Sequence, residues 1–131
     1  MKRSVPVSLI FLGGGYGTRL YPLTKNRPKA MLPLGEGVIM DSIWSAVEEI
    51  PQLSRVVLVS NHRYAGHFER WTRARGLDIR IVDNGTSMNK ARLGAIRDLQ
   101  LGLKHVGRQD DVLVLGTDNL FGWSLADLVR T

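Results

Sequence analysis

Short apolar runs and helical stripes of apolar residues alternate along the chain. Runs rich in Val, Ile and Leu at residues 5–12, 55–61 and 111–119 are typical of strands that are buried on both faces of a sheet. Residues 77–83 alternate between apolar and polar side chains, which predicts another strand. A helical stripe lies between each pair of consecutive predicted strands.

These stripes predict the helices and where they end. The three stripes consist of Ile43, Val47 and Ile50, of Tyr64, Phe68 and Trp71, and of Ile96, Leu99, Leu103 and Val106. We expect Asp41 to cap the first helix and Pro51 to end it. Gly76 predicts the end of the second helix. A final short helix is predicted to begin at Ser124.

Strands that alternate with helices are the pattern of an α/β domain. We therefore expect a Rossmann-like, three-layer α/β/α fold with a mainly parallel sheet. In such sheets, ligands bind beyond the carboxyl ends of the strands. Here those ends carry glycine or polar residues, namely Gly13 and the residues after it, Ser60 and Asn61, Asp83 and Asn84, and residues 117–119. The pattern predicts a binding site along this edge.

Length, composition and charge narrow the function classes. A chain of 131 residues is enough for one domain, so a single domain spanning residues 1–131 is expected. The absence of cysteine excludes disulfides and thiolate metal sites. The apolar runs are too short to cross a bilayer, and we expect a cytoplasmic location. The formal net charge of +6 favours a polyanionic partner, a class that includes nucleic acids, acidic membrane surfaces and phosphorylated small molecules.

The loop after the first predicted strand is rich in glycine. Its glycines are Gly13, Gly14, Gly15 and Gly17. Because glycine has no Cβ, the backbone amides of such a loop can approach a phosphate or a base closely. The spacing excludes both the dinucleotide-binding fingerprint and the P-loop. Arg19 offers a fork of donors for bidentate phosphate binding, and Lys29 follows in a stretch stiffened by prolines. The two cations suit different phosphates of one triphosphate.

A family resemblance is carried by the longer string GGGYGTRLYPLTKNRPKAMLPLG, which resembles the signature of the sugar-phosphate nucleotidyltransferases, the nucleotide-sugar pyrophosphorylases. The family's base-recognition loop and next helix are similar to NGTSMNKARLGAIRDL, and its metal-binding strand end is similar to VLVLGTDNLF. The resemblance runs from about residue 5 to the last residue. It implies an enzyme of nucleotide-sugar biosynthesis, in which a sugar 1-phosphate or related phosphorylated acceptor attacks the α-phosphate of a nucleoside triphosphate and releases pyrophosphate.

The resemblance also implies roles for individual residues. Backbone groups of the glycines would contact the nucleotide, and Arg19 would hold the departing pyrophosphate. Lys29 would neutralise charge on the α-phosphate and the incoming phosphate, and Asp118 would bind Mg²⁺, the implied cofactor. These roles agree with the physics of phosphoryl transfer, because the attacking phosphate is already an anion and needs positioning and charge cancellation more than a base.

Some features depart from the family pattern. Asn89 and Gly94 have the spacing at which the family reads the base edge, but Asn84 lies at a similar loop position, and the choice stays open. The loop lacks the common glutamine, which leaves thymine, uracil, cytosine and guanine as candidate bases. Thr117 separates Gly116 from Asp118, where the family has Gly-Asp. The family's second half, with the acceptor site and another carboxylate, does not follow, so this chain is expected to be the N-terminal, nucleotide-binding half of a domain that is truncated here.

Two other functions compete with catalysis. One is a catalytically incomplete nucleotide-binding or regulatory module of the same family. The other is a nucleic-acid binder, suggested by the net charge and by arginines at 63, 70, 73 and 75. We favour the enzyme, with a nucleoside triphosphate and a phosphorylated acceptor as partners and without nucleic acid or membrane. The sequence does not determine the base, the acceptor or the oligomeric state, and a homo-oligomer is one of the alternatives.

Overall fold

A computed structural model describes residues 5–13, 27–85 and 94–117. The elements in chain order are β1 (Val7–Gly13), a 3-10 turn (Lys29–Met31), β2 (Pro33–Leu34), β3 (Gly37–Val38), α1 (Ile39–Val47), β4 (Leu53–Ser60), α2 (His62–Arg75), β5 (Arg80–Asp83), α3 (Gly94–Leu103) and β6 (Asp111–Gly116). In this part of the chain, four strands form one sheet in the order β5-β4-β1-β6, and every pair is parallel. The short strands β2 and β3 pair antiparallel.

Apolar clusters lie on both faces of the sheet. The larger cluster combines sheet residues with residues of α1 and α2, and includes Leu9, Phe11, Met40, Ile43, Val47, Leu58, Tyr64 and Phe68. The smaller cluster combines Ile10, Val57 and Val59 with partly buried residues that include Leu99 and Val106 of the α3 region. Neighbouring residues of β1 and β4 thus enter opposite clusters, as side chains alternate along a strand. The predicted three-layer α/β/α fold is confirmed.

Helix α2 ends where its sequence pattern predicts, and it begins with a cap that the sequence analysis did not identify. The side chain of Asn61 caps its start, because Oδ1 accepts the Tyr64 N–H at 2.9 Å. Gly76 ends it in the left-handed region, with φ of 63°. The predicted aromatic face is buried, since Tyr64, Phe68 and Trp71 are at most 4% exposed. None of the helices in the described ranges is long and apolar enough to span a membrane.

Several element boundaries differ from the sequence prediction. Helix α1 begins at Ile39, so Asp41 lies inside the first turn and not before it. Asp41 still satisfies the helix start, since Oδ2 accepts the Val38 N–H at 2.8 Å. The helix ends at Val47, ahead of Ile50, which is buried in the turn that follows. Strand β5 covers residues 80–83 only and not 77–83. The helix predicted at Ser124 lies outside the described residues.

The buried face of α3 also differs from the predicted stripe. Ile96 and Leu103 are 55% and 44% exposed, whereas Asp98 is buried and Leu99 packs against the smaller cluster. Both sides of this helix carry apolar residues, so spacing alone did not identify the inward side. The inward side also carries Gly102, where an added Cβ would lie 2.9 Å from Ile10 Cγ2 and 3.3 Å from Val59 Cγ2. The helix therefore packs against the sheet through a glycine.

This close approach makes Gly102→Ala a test of the packing. Alanine favours a helix over glycine by about 1 kcal/mol, but overpacking against β-branched side chains costs about 1–3 kcal/mol. The net expectation is a fall in the free energy of unfolding of up to about 2 kcal/mol, measured by urea unfolding.

Gly66→Ala in α2 is the matched control, because an added Cβ there would meet only the end of the flexible Arg70 side chain, at 3.4 Å. It should raise the free energy of unfolding by about 0.5–1 kcal/mol. A stabilising Gly102→Ala would contradict the described packing of α3.

Candidate functional site

The parallel register places the carboxyl ends of the central strands side by side. Gly13 is paired with Ser60, and Ser60 with Asp83. On the other side of β1, Leu12 is paired with Gly116. The loops that follow these strands therefore leave the sheet from one edge, where ligands of parallel α/β sheets bind.

Gly13 ends β1 at a place where side-chain atoms crowd the backbone. An added Cβ would lie 3.2 Å from Phe68 Cζ and 3.3 Å from Leu58 Cδ2. The absence of a side chain thus lets α2 pack closely beneath the start of the glycine run. Next to it, the Thr117 N–H donates to the Leu12 carbonyl at 3.3 Å. The end of β6 is therefore held beside the start of the glycine run.

The turn after β5 is fixed by backbone and side-chain hydrogen bonds. The Asn84 N–H donates to the Ser60 carbonyl at 2.8 Å, which ties the turn to the end of β4. The Gly85 N–H donates to Asp83 Oδ1 at 2.8 Å. The Asn84 amide donates through Nδ2 to Asp98 Oδ1 at 2.9 Å, which ties the turn to α3. This turn, residues 83–85, is called the Asn84 turn below.

His62, the first residue of α2, contacts the same turn. Its Nδ1 lies 2.6 Å from Asp83 Oδ2, and Nδ1 is the donor because an ionised carboxylate only accepts. Burial by itself would raise the pKa of Asp83, but the hydrogen bonds from His62 and from the Gly85 N–H, with the charge of His62, lower it below its ordinary value. Asp83 is therefore a carboxylate at neutral pH.

Lys29 is carried by the 3-10 turn that precedes the hairpin. The Met31 N–H donates to the Pro28 carbonyl at 2.9 Å, and the Leu32 N–H donates to the Lys29 carbonyl at 3.0 Å. Pro28, Ala30 and Met31 are buried, while Lys29 is half-buried. The backbone of Lys29 is thus anchored by its neighbours in the core.

Asp41 joins the hairpin to the two helices on this face of the sheet. Its carboxylate accepts from Trp71 Nε1 at 2.9 Å and from Arg75, and it contacts Gly37 so closely that a Cβ there would collide with it. Burial by itself would raise the pKa of Asp41, but the hydrogen bonds from Arg75, the Val38 N–H and Trp71, with the charge of Arg75, lower it. The segment from Lys29 to Asp41 is therefore anchored at both ends, by the buried neighbours of Lys29 and by the contacts of Asp41.

Among the predicted site residues, the structure describes Gly13, Lys29, Asn84 and Gly94. It brings Gly13 and Asn84 to the same edge of the sheet, and it links Asn84 to α3 one turn after Gly94, the first residue of that helix. Six predicted site residues lie outside the described residues, namely Gly14, Gly15, Gly17, Arg19, Asn89 and Asp118. In the described ranges, no group of three or more His, Asp or Glu side chains is arranged to hold a metal ion.

Comparison with known proteins gives the family. Residues 8–131 match the family described as nucleotidyl transferase. The chain belongs to this family. The resemblance seen in the glycine-rich string is thereby confirmed.

Individual nucleotidyl transferases resemble this chain over most of its length. Mannose-1-phosphate guanylyltransferase of Escherichia coli is 32% identical over 119 residues, which are 88% of this chain and 25% of the relative. A glucose-1-phosphate thymidylyltransferase structure from Bacillus anthracis superposes with a TM-score of 0.77 at 22% identity, over 95% of this chain and 49% of that one. The inositol-1-phosphate CTP transferase of T. maritima gives a TM-score of 0.73 at 22% identity, over 92% and 46%.

These relatives are longer than the chain. It spans about a quarter of the guanylyltransferase and about half of each solved structure. The structural likeness, at this level of identity, concerns the fold of the nucleotidyl transferases.

The sequence interpretation missed three side chains at this edge of the sheet: His62, Asp83 as an acceptor, and Asp98. His62 and Asp83 meet only because β4 and β5 are neighbours in the sheet. The position of Asp98 could have been identified from the sequence, because Asp98 lies next to Leu99 of the predicted apolar stripe and four residues before Gly102. A carboxylate on an inward helix face needs a polar partner.

Proposed function

We propose that this chain is the nucleotide-binding portion of a nucleotidyltransferase that uses Mg²⁺. The enzyme would transfer the nucleoside monophosphate of a nucleoside triphosphate to a sugar 1-phosphate or similar phosphorylated acceptor. The bond from the acceptor oxygen to the α-phosphorus forms as the bond to the leaving pyrophosphate breaks. The electron pair of the broken bond leaves with pyrophosphate.

One observation carries the proposal. Gly13, Ser60 and Asp83 are consecutive partners across three parallel strands, so the glycine run and the Asn84 turn begin at one edge. A glycine run at such an edge exposes backbone amides to an anion, and a polar turn beside it offers hydrogen bonds to a base. This separation of a phosphate side from a base side is what a nucleoside triphosphate requires.

Charged residues complete the proposed site. Lys29 and Arg19 would neutralise the phosphates, and preorganised positive charge is effective here because negative charge develops on the transferred group. Thr117 is held beside Leu12, and Asp118 follows it in the sequence. A carboxylate is a ligand suited to Mg²⁺, so Asp118 would hold the ion. When bound, Mg²⁺ would polarise the phosphate oxygens and offset their charge.

A second candidate is a module of the same family that binds a nucleotide without catalysing transfer. It rests on the same paired strand ends, which place the glycine run and the Asn84 turn at one edge and would hold a nucleotide without an acceptor. In that case the Asn84 turn and the glycine run would keep their roles, and the acceptor would not react.

One experiment separates the two candidates. The full chain is mixed with ATP, CTP, GTP, UTP or dTTP and a panel of sugar 1-phosphates and phosphorylated alcohols, and pyrophosphate release is measured with Mg²⁺ and with EDTA. We expect release with one nucleotide and its acceptor, abolished by EDTA. Thermal unfolding is measured in parallel, since a ligand at a hundred times its Kd stabilises by about 2.7 kcal/mol.

Each outcome has a defined meaning. Stabilisation by a nucleotide without pyrophosphate release favours the binding module. If no nucleotide stabilises the protein, both candidates are wrong.

A further inference from the structure

Asp98 is a buried carboxylate at the boundary between α3 and the proposed nucleotide edge. Its residue is only 6% exposed, and Oδ1 accepts the Asn84 Nδ2 at 2.9 Å. It lies on the side of α3 that packs against the sheet, beside Leu99 and one turn before Gly102. Burying a carboxylate costs free energy unless hydrogen bonds compensate it. The hydrogen bond from Asn84 provides part of that compensation.

The partner of Asp98 sits on a backbone that is already fixed. The Asn84 N–H is bonded to Ser60, and Asp83 holds the Gly85 N–H while contacting His62. The backbone of the Asn84 turn therefore does not need Asp98 for its position. What Asp98 adds is control of the Asn84 side chain.

That control concerns which way the amide faces. An asparagine amide has a donor side and an acceptor side of nearly equal shape, and it reverses their places by a half-turn about its last bond. In the structure, Asn84 Nδ2 donates to Asp98. A half-turn of the Asn84 amide would place Oδ1 against the carboxylate oxygen of Asp98, and no hydrogen bond can form between two acceptors. The contact with Asp98 thus selects one of the two orientations.

We propose that Asp98 is a positioning residue for base recognition, acting through Asn84. By holding the amide in one orientation, it determines which hydrogen-bonding edge of a nucleobase the Asn84 turn accepts. The inference rests on the proposed function, because it needs a nucleotide at this edge. It also selects Asn84 as one residue that reads the base and gives the buried carboxylate a role in specificity.

Asp98→Asn tests the assignment with little change in shape. The new amide can accept from Asn84 Nδ2 or donate to Asn84 Oδ1, so both orientations of Asn84 become accessible. Binding of ATP, CTP, GTP, UTP and dTTP to the full chain is measured by calorimetry with Mg²⁺. We expect the preference for the best nucleotide over the next one to fall by about fivefold, as for one neutral hydrogen bond that no longer discriminates, while the Kd of the best nucleotide rises only about twofold, because the competent orientation of Asn84 falls to about half of the population.

Asp110→Asn is the matched control. Asp110 also accepts a side-chain hydrogen bond, from Ser8 Oγ at 2.7 Å, but near the start of β1 and away from the proposed edge. It should leave the ratio of the two Kd values unchanged within about twofold, even if the protein is less stable.

Asn84→Ala removes the other partner of the same hydrogen bond. Because Asn84 is only partly buried, this variant replaces Asp98→Asn as the test if Asp98→Asn does not fold. It should remove the same preference, and the double variant should lose no more than either single one, because the two residues act as one unit. An unchanged ratio of Kd values in a folded Asp98→Asn or Asn84→Ala protein would overturn the assignment and leave the proposed function standing. So would a wild-type protein that binds all five nucleotides equally. A wild-type protein that binds none of them would overturn the proposed function itself, and this assignment with it.

Discussion

Lys29→Ala is expected to lower kcat/KM for nucleotidyl transfer by about 30- to 1,000-fold, which corresponds to about 2–4 kcal/mol of transition-state stabilisation. The reason is electrostatic. In the proposed reaction two phosphates would approach each other, and an ammonium group on an anchored backbone would offset their charge without reorganising. Pro28, Ala30 and Met31 are buried around Lys29 and provide that anchorage. The measurement is steady-state pyrophosphate release at saturating Mg²⁺ with the best nucleotide and acceptor.

Lys104→Ala is the control for the loss of one positive charge. Lys104 is exposed and lies between α3 and the start of β6, which pairs with the start of β1 and not with the strand ends near Asn84. We expect its kcat/KM to stay within about twofold of the wild type. If Lys29→Ala has an effect as small as that of the control, Lys29 does not act on the phosphates.

Phe68→Ala is expected to lower the free energy of unfolding by about 3–5 kcal/mol, the usual range for truncating a buried aromatic side chain. Phe68 is fully buried in the larger cluster, and its ring lies against the backbone of Gly13. Removing the ring leaves a cavity between α2 and the end of β1, where helix and sheet are in close contact. Because small domains are stable by only about 5–15 kcal/mol, this change removes a large part of the total.

Urea unfolding followed by tryptophan fluorescence measures the effect, since Trp71 is buried on the same helix. Glu69→Ala is the control, because Glu69 is the exposed neighbour of Phe68, and it should change stability by less than about 0.5 kcal/mol. A loss below about 1 kcal/mol for Phe68→Ala would mean that the ring is not part of a closely packed core.

The sequence predicted those parts of the fold that have a clear period. β1, β4 and β6 are apolar runs, and α2 has one aromatic face and a terminating Gly76. The hairpin of β2 and β3 was not predicted, because strands of two residues have no measurable alternation. The inward side of α3 was assigned wrongly in part, because Ile96 and Leu103 extended the stripe on a side that the structure leaves exposed.

The candidate site was predictable only to the level of its edge. Parallel strands place their carboxyl ends together, so the position of Gly13 near Asp83 and Asn84 followed from the predicted topology. The contacts between side chains did not follow, since they join elements distant in sequence. Asp98 meets Asn84 through the packing of α3, and Asp41 meets Arg75 through the packing of α1 against α2. No period along the chain encodes such pairs.

The central position of β1 has a consequence for how the protein is made. β1 is the first described strand to leave the ribosome, and it pairs on one side with β6, the last described strand. Pairing of segments so distant in sequence is slow to form, because a long loop must close first. Until Gly116 has been synthesised, one backbone edge of β1 lacks its native neighbour and can associate with other chains. The glycine run is thus translated early, but the strand that precedes it gains its second neighbour late. On a ribosome stalled before residue 111, β1 would lack β6, and the edge of the sheet that carries the candidate site would be incomplete.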